Sequence, residues 1–222
     1  MVKLVSMTKP IEHSHLSPEE LIVYVARVSN PSNQLNTATA PKLIRYCMEH
    51  GHWSVFEHVY VTFEVHTTRA IAAQMLRHRS MTFQEYSGRY AISQDADVNI
   101  EARLQDNKNR QNSLPTEDEE LKQWFFSAQR QVAELSRKLY EEALSKGIAK
   151  EQARFLLPLS TKTTLYVTGN LRSWIHYIQL RAHPATQKEH RKIAMEIAHI
   201  LSFHFPTIAQ AAGWNKLQKD AT

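Results

Sequence analysis

Apolar residues along the chain recur with two periods, and the expected elements follow from them. Val59, Val61, Phe63 and Val65 alternate with polar positions, which predicts a strand with one face in a core. Val2 to Met7 can supply a short first strand, and the β-branched and aromatic run Thr163 to Thr168 suits another. Helical signals are as plain. In Leu16-Ser17-Pro18-Glu19-Glu20-Leu21, Ser17 caps, Pro18 occupies the first turn, Glu20 closes the capping box and Leu16 can staple against Leu21. The helix that follows is expected to bury Leu21, Val25 and Val28. A second helix from Ala40 should end near His50-Gly51, where glycine is a natural stop. Thr67 to Leu76 has helical composition, with Ile71, Ala72, Met75 and Leu76 at core-like spacing and Thr67 or Thr68 as cap.

Thr116-x-x-Glu119 starts a long helix expected to reach Lys146, with Trp124, Ala128, Val132, Leu135 and Leu139 on its apolar side. Core packing is the expectation for Trp124 and Phe125. Gly147 breaks the helix, and another runs from Ala149 to Leu157 until Pro158 stops it. Asn170 caps LRSWIHYIQLR, whose Leu171, Trp174, Ile178 and Arg181 fall near one stripe. Lys188 to His204 forms a further helix ended by Pro206, after which IAQAAGW docks a last apolar turn. Ala91 to Pro115 is polar and aperiodic, so it reads as a long loop, mobile or functional. Three or four strands and six helices give an α/β (α+β) class, a mixed β-sheet packed with several helices.

Length adds that one domain, 1–222, is the default, large enough to bury about 70% of its extended surface. A net charge of +5 and a pI near 9.3 favour anionic ligands without choosing between small molecules and nucleic acid. The single Cys47 excludes an intrachain disulfide framework and reads as a buried small hydrophobe. No run reaches the length of a membrane span and no signal peptide is evident, so a soluble cytoplasmic protein is expected. The twelve histidines invite a metal, but His13-x-His15 and His50-x-His52 have no companion cysteines or carboxylates at ligand spacing, and no metal site is expected.

The densest chemistry lies in RHRSMTFQEYSGRY, Arg77 to Tyr90. Arg77, Arg79 and Arg89 can each present a fixed fork of donors to two phosphate oxygens. Gln84, Glu85 and Ser87 add an amide, an acceptor and a hydroxyl. The mixture suits a polar heterocycle bearing phosphate; nucleic acid and plain ion pairing stay open on these residues alone. Against nucleic acid, the basic positions Arg103, Lys108 and Arg110 are interleaved with aspartates, and their segment has no aromatic for base stacking. Arg154, among Phe155, Leu156 and Leu157, is a charge in an apolar neighbourhood and needs a partner. Ser87 is read as a positioning hydroxyl, because no activating base and acid are evident at suitable positions.

The pattern RHR…S.R resembles the signature of the flavin-dependent thymidylate synthases. Similarity extends through ARVSN (26–30), HWSVFEH (52–58), IAAQMLRHR (71–79), EQARFLLPLS (151–160) and NLRSWIHYIQLR (170–181), in the family's order. The resemblance implies a homotetrameric methyltransferase with active sites between subunits. It would carry the methylene group of methylenetetrahydrofolate to deoxyuridine monophosphate, use FAD reduced by NADPH as hydride donor, release thymidine monophosphate and need no enzyme nucleophile. It implies nucleotide contacts at Gln74, Arg77, Glu85, Ser87, Arg89, Arg154 and Arg181, with Arg181 polarising the uracil. Flavin contacts are implied at His52, Ser54, Arg77, His78, Arg79, Asn170 and His176. Position 54 is commonly threonine and position 176 asparagine in that family, and Ala185 stands where a flavin-facing histidine is often found. Arg27 is implied to help order the active-site region.

Overall fold

The computed structural model describes residues 1–217. Strand β1 (Val2–Met7) is followed by α1 (Pro18–Ala26), α2 (Ala40–Glu49), a 3-10 segment (Trp53–His58) and β2 (Tyr60–Thr68). Next come α3 (Arg69–Met75), β3 (Thr82–Glu85), β4 (Arg103–Gln105), β5 (Ser113–Pro115) and α4 (Glu119–Ser145). The remainder is α5 (Lys150–Ala153), a 3-10 turn (Arg154–Leu156), β6 (Lys162–Asn170), α6 (Leu171–Arg181), α7 (Lys188–His204), α8 (Pro206–Ala211) and α9 (Trp214–Leu217). One sheet has the order β1-β2-β6-β3, and β4 and β5 make a separate pair. The α/β expectation holds. No helix among the described residues is long and apolar enough to cross a membrane.

The chain forms two compact units. Among the described residues the first comprises 1–65, 78–83 and 166–217, the second 66–77 and 84–165. In the first, β1 runs antiparallel to β2 with Val2 opposite Val65 and Met7 opposite Val61, the register slipping between Leu4 and Ser6. Val59, Val61, Phe63 and Val65 are fully buried, as their alternation predicts. Here α6 packs on α7 and on the 3-10 segment, and α2 on α8. The Ser17 box forms with both reciprocal bonds, Glu20 N–H to Ser17 Oγ at 3.2 Å and Ser17 N–H to Glu20 Oε2 at 2.8 Å. The buried face of α1 is not the expected one: Ile22 and Val23 are inside, while Val28 is 70% exposed. Apolar residues at 21, 22, 23 and 25 spread over more than half of the helix, which ends before Val28, so periodicity could not select a face. Pro206 ends α7 by starting α8, whose Ile208 and Ala209 dock with Trp214 in the core.

In the second unit Thr67 and Thr68 belong to the strand, and Thr68 stands at the start of α3 without a side-chain capping bond. The expected loop 91–115 contains the β4–β5 hairpin. It is also tied down: Gln129 of α4 exchanges hydrogen bonds with the Ile100 N–H and C=O at 3.0 and 2.9 Å. Asp118, rather than Thr116, caps α4, its carboxylate accepting from Leu121 N–H at 3.0 Å. The larger correction concerns the apolar side of α4. Tyr140 is its only buried residue, whereas Trp124 is 65% and Leu135 59% exposed, with Val132 and Leu139 also outside. Likewise Arg154 is half-buried, but its neighbour Phe155 is 78% exposed, so the apolar surroundings read from sequence lie at the surface of the chain.

Candidate functional site

The chain leaves the second unit at Arg77 and enters the first at His78, so the RHR triplet contributes to both. Of the expected residues, His52, Ser54, His78, Arg79, Asn170, His176 and Arg181 lie in the first unit. Gln74, Arg77, Glu85, Ser87, Arg89 and Arg154 lie in the second.

In the first unit the site grows from the β6–α6 junction. Asn170 caps α6, its Oδ1 accepting from Ser173 N–H at 2.9 Å. The helix start is pinned by Leu171 N–H to Val59 O at 2.8 Å and by Trp174 Nε1–H to Val61 O at 3.1 Å. Gly169 permits this packing, because a Cβ there would come within 3.1 Å of Met81 and 3.4 Å of the Trp174 ring nitrogen. Ser173 Oγ donates to Ser80 O at 3.3 Å and so fixes the segment that follows His78.

At the other end of α6, Arg181 Nε donates to His78 Nε2 at 2.9 Å. Guanidinium has no acceptor, so His78 must receive at Nε2 and is not protonated there. Burial, then the charges of Arg181 and His176, lower the His78 pKa from its usual value to about 4. The Tyr177 ring meets His78 edge-on at 4.8 Å, and its hydroxyl bonds His190 Nε2 at 3.0 Å. Burial, reinforced by Arg181 and His78, lowers the His190 pKa to about 3, and burial raises that of Tyr177. A half-buried arginine is thus backed by neutral, buried rings.

Beside the helix start lies a cleft of about 610 Å³ lined by Trp53, Glu57, Ser80, Asn170, Arg172, Ser173, Ile175, His176 and Gln179. It unites Asn170 and His176; His52, Ser54 and Arg79 are exposed and are not among its lining residues. Sequence reasoning missed Trp53, Ser80, Arg172 and Gln179. A usable signal existed: Arg172, His176 and Gln179 are spaced i, i+4, i+7 and form an exposed polar stripe on α6. Arg172 is ion-paired with Glu57 across this wall. An adjoining cleft of about 540 Å³ shares Trp53, Ile175 and Gln179.

In the second unit Glu85 accepts from Thr163 Oγ1 at 2.9 Å and faces Arg69 at 3.8 Å. Arg69 was not foreseen; a cation in the first turn of α3 opposes the helix dipole, and Glu85 offsets it. The loop after β3 turns at Ser87, whose carbonyl accepts from Tyr90 and Ala91 N–H at 3.1 and 3.0 Å. A Cβ on buried Gly88 would sit 2.9 Å from Ser93 Oγ and 3.1 Å from Arg69 Nη2, so a larger residue there would displace the Ser93 hydroxyl and the Arg69 guanidinium. Arg89 Nε donates to the Glu151 carboxylate at 3.0 Å, and Arg154 Nε to the Glu151 carbonyl at 3.2 Å. Two arginines 65 positions apart therefore meet at one glutamate, itself unforeseen. Gln74 is half-buried at the end of α3 and its carbonyl accepts from Arg77 N–H at 3.4 Å, while Arg77 and Ser87 are exposed.

Comparison with known proteins adds three findings. A family model described as thymidylate synthase complementing protein matches residues 11–207. The flavin-dependent thymidylate synthase of Synechocystis is 54% identical over 216 residues, 96% of this chain and 99% of that protein. The probable flavin-dependent thymidylate synthase of Paramecium bursaria Chlorella virus 1 is 51% identical over 96% of this chain and 98% of its own. Among solved structures, the UMP/dUMP methylase PolB from Streptomyces cacaoi bound with 5-Br dUMP superposes with a TM-score of 0.82 at 28% identity, covering 95% of this chain and 93% of that one.

Proposed function

The chain belongs to the flavin-dependent thymidylate synthases and is an enzyme of that family; from that premise we propose that it methylates deoxyuridine monophosphate to thymidine monophosphate with methylenetetrahydrofolate as carbon donor. The observation that carries the reading is the bond from Arg181 to neutral His78. With Nε committed to His78, the two terminal amino groups of Arg181 remain for a ligand. Their parallel donors suit the O2–N3 edge of uracil, where negative charge develops as C5 attacks the methylene carbon.

The nucleotide phosphate is assigned to Arg77, Arg89 and Arg154, with Gln74, Glu85 and Ser87 orienting the sugar and base. Glu151 supports this assignment by holding Arg89 and Arg154 together. No enzyme nucleophile is needed in this reading. The one cysteine, Cys47, is buried in α2 with its thiol pKa raised by burial, and Ser87 is exposed on the loop after β3.

FAD, reduced by NADPH, would supply the hydride that completes the methyl group. The chemistry of the cleft at the start of α6 fits such a group: the Trp53 ring offers a planar wall, while Ser80, Asn170, His176 and Gln179 offer hydrogen bonds and Arg172 a cation. His52, Ser54, Arg77, His78 and Arg79 complete the proposed cofactor set, with His78 acting through Arg181. The exposed apolar side of α4 supports a homotetramer, since Trp124, Val132, Leu135 and Leu139 would be covered by a second copy. In this reading the two units serve one catalytic domain of a cytoplasmic enzyme that binds no nucleic acid.

The test is a spectrum and a product assay on one preparation. A bound oxidised-flavin spectrum, and thymidylate formed only when nucleotide, methylenetetrahydrofolate and NADPH are all present, are expected. Colourless protein that cannot be reconstituted with FAD would overturn the reading.

A further inference from the structure

Arg27, at the end of α1, is 92% removed from solvent, being 8% exposed. Its guanidinium donates to the carbonyls of Asn33 and Asn36 and, at 2.6 Å, to Thr39 Oγ1. Every one of these acceptors is neutral. The charge is therefore held in position without being cancelled, and a cation taken out of water in this way attracts an anion more strongly than a surface one. Arg27 lines a cleft of about 520 Å³ together with Ser29, Asn30, Thr39, Lys42 and Tyr46, and none of its lining residues among those described is acidic. Lys42 brings a second positive charge from α2. Tyr46 is half exposed and stacked on His50 with ring centroids 4.0 Å apart, which fixes a flat aromatic surface at the same cleft. Guanidinium has five N–H donors, more than the three bonds to Asn33, Asn36 and Thr39 use.

We propose that this cleft binds the oxoanion of an aromatic cosubstrate, a phosphate monoester or a carboxylate, with the ring system resting on Tyr46. The inference rests on the thymidylate synthase reading, in which the two cosubstrates besides the nucleotide are NADPH and methylenetetrahydrofolate. Both pair an aromatic ring system with an oxoanion: a 2′-phosphate on the adenosine half of one, glutamyl carboxylates on the other. The cleft selects the shared chemistry, and the experiment separates the sources.

Flavin-loaded enzyme is titrated with two matched pairs of probes, adenosine 2′-phosphate against adenosine, and pteroyltriglutamate against the uncharged carboxamide of pteroic acid. In one pair the anion-bearing member should bind about 10-fold more tightly, the scale of one charge-assisted hydrogen-bonded contact. Lys42→Ala should erase most of that difference, and added salt should weaken it. The pair that responds identifies phosphate or carboxylate as the source. Arg27→Lys, which keeps the charge but loses the fork, should reduce the same difference; because Arg27 also ties down residues 33–39, the exposed Lys42 decides if that variant fails to fold. Flavin content and deoxyuridine monophosphate affinity are measured alongside and should not change in Lys42→Ala. Loss of both in the parent enzyme would sink the thymidylate synthase reading, while the probe titrations still report on the cleft. The proposal is overturned if neither pair shows an anion-dependent difference, or if Lys42→Ala leaves that difference intact.

Discussion

The two units hold their polar groups by opposite means. In the first, Arg181 rests on a buried neutral histidine, which meets a buried tyrosine bonded to a second buried histidine. In the second, Arg89 is 68% exposed and pairs with a half-exposed glutamate, and Ser87 sits on an open loop. Burial fixes geometry before a ligand arrives, so the first arrangement is preorganised and little affected by salt. Exposed pairs contribute little and are screened, so in the proposed function the second arrangement would gain its order from the bound nucleotide. The base-polarising role proposed for Arg181 calls for the first kind of support; the phosphate-holding role proposed for Arg89 can use the second.

The largest break in this contrast should come from Arg181→Ala. Loss of a charge-assisted contact that strengthens as charge develops costs about 2–4 kcal/mol, or roughly 30- to 1000-fold in thymidylate formation. Flavin content and fold should survive, and Arg181→Lys should recover little. Near-normal turnover in the alanine variant would remove Arg181 from the chemistry.

Acid should act next, and on the first unit. His78 and His190 titrate near 4 and 3 when folded, below their ordinary value near 6.5. The stability they contribute is complete above pH 6.5 and is lost as pH falls through the window from 6.5 towards 4 and 3, because only the unfolded chain takes up their protons. Urea midpoints should therefore decline steadily below pH 6.5, and replacing His190 with glutamine should flatten part of that slope. A midpoint unchanged between pH 7 and pH 5 would show that these rings are hydrated.

Ser87→Ala sharpens the comparison from the other side. It should raise the KM for deoxyuridine monophosphate about 5- to 10-fold, one hydrogen bond's worth, while NADPH still reduces the flavin. Trapping a covalent Ser87 adduct in the unaltered enzyme would contradict the positioning role. Glu151→Gln should have the smallest effect, within about 1 kcal/mol on stability, since its pair with Arg89 is exposed. Nucleotide affinity should become more salt-sensitive as Arg89 loses its anchor, and a loss of several kcal/mol would show that the pair is shielded in the working enzyme.

Sequence revealed local features wherever one residue type answers one backbone need. The Ser17 box, the Asn170 cap and the Gly51 stop all form, Gly51 with φ +71°. It was weaker where a pattern has two solutions. Apolar residues spread over more than half of α1 and conceal its buried face, and α4 displays an apolar side without revealing whether the same chain or another covers it. At the candidate site, the Arg77–Tyr90 stretch stood out because basic and polar residues are concentrated in fourteen positions, while His52, Ser54, Gln74, Arg154, Asn170, His176 and Arg181 lie outside it and were assigned to the site only through the resemblance. Arg69, Glu151, Tyr177 and His190 were not, because each acts through a partner distant in sequence: Glu85 and Arg69 are 16 positions apart, Arg89 and Glu151 are 62 apart. Only folding supplies that adjacency.

The distribution of the four tryptophans has a spectroscopic consequence. Trp174 and Trp214 are buried, Trp124 stands in solvent on α4, and Trp53 forms part of the wall of two adjoining clefts. The emission of this protein therefore divides by environment without any added dye. Blue-shifted light comes from the buried pair, a red-shifted component from Trp124 that would move to shorter wavelength if α4 were covered, and a component from Trp53 that an absorbing ring system seated in the cleft at the start of α6 will quench, whereas one in the adjoining cleft, which Trp214 also lines, will quench the blue-shifted light as well. One fluorescence trace can thus follow assembly and occupancy as separate colours.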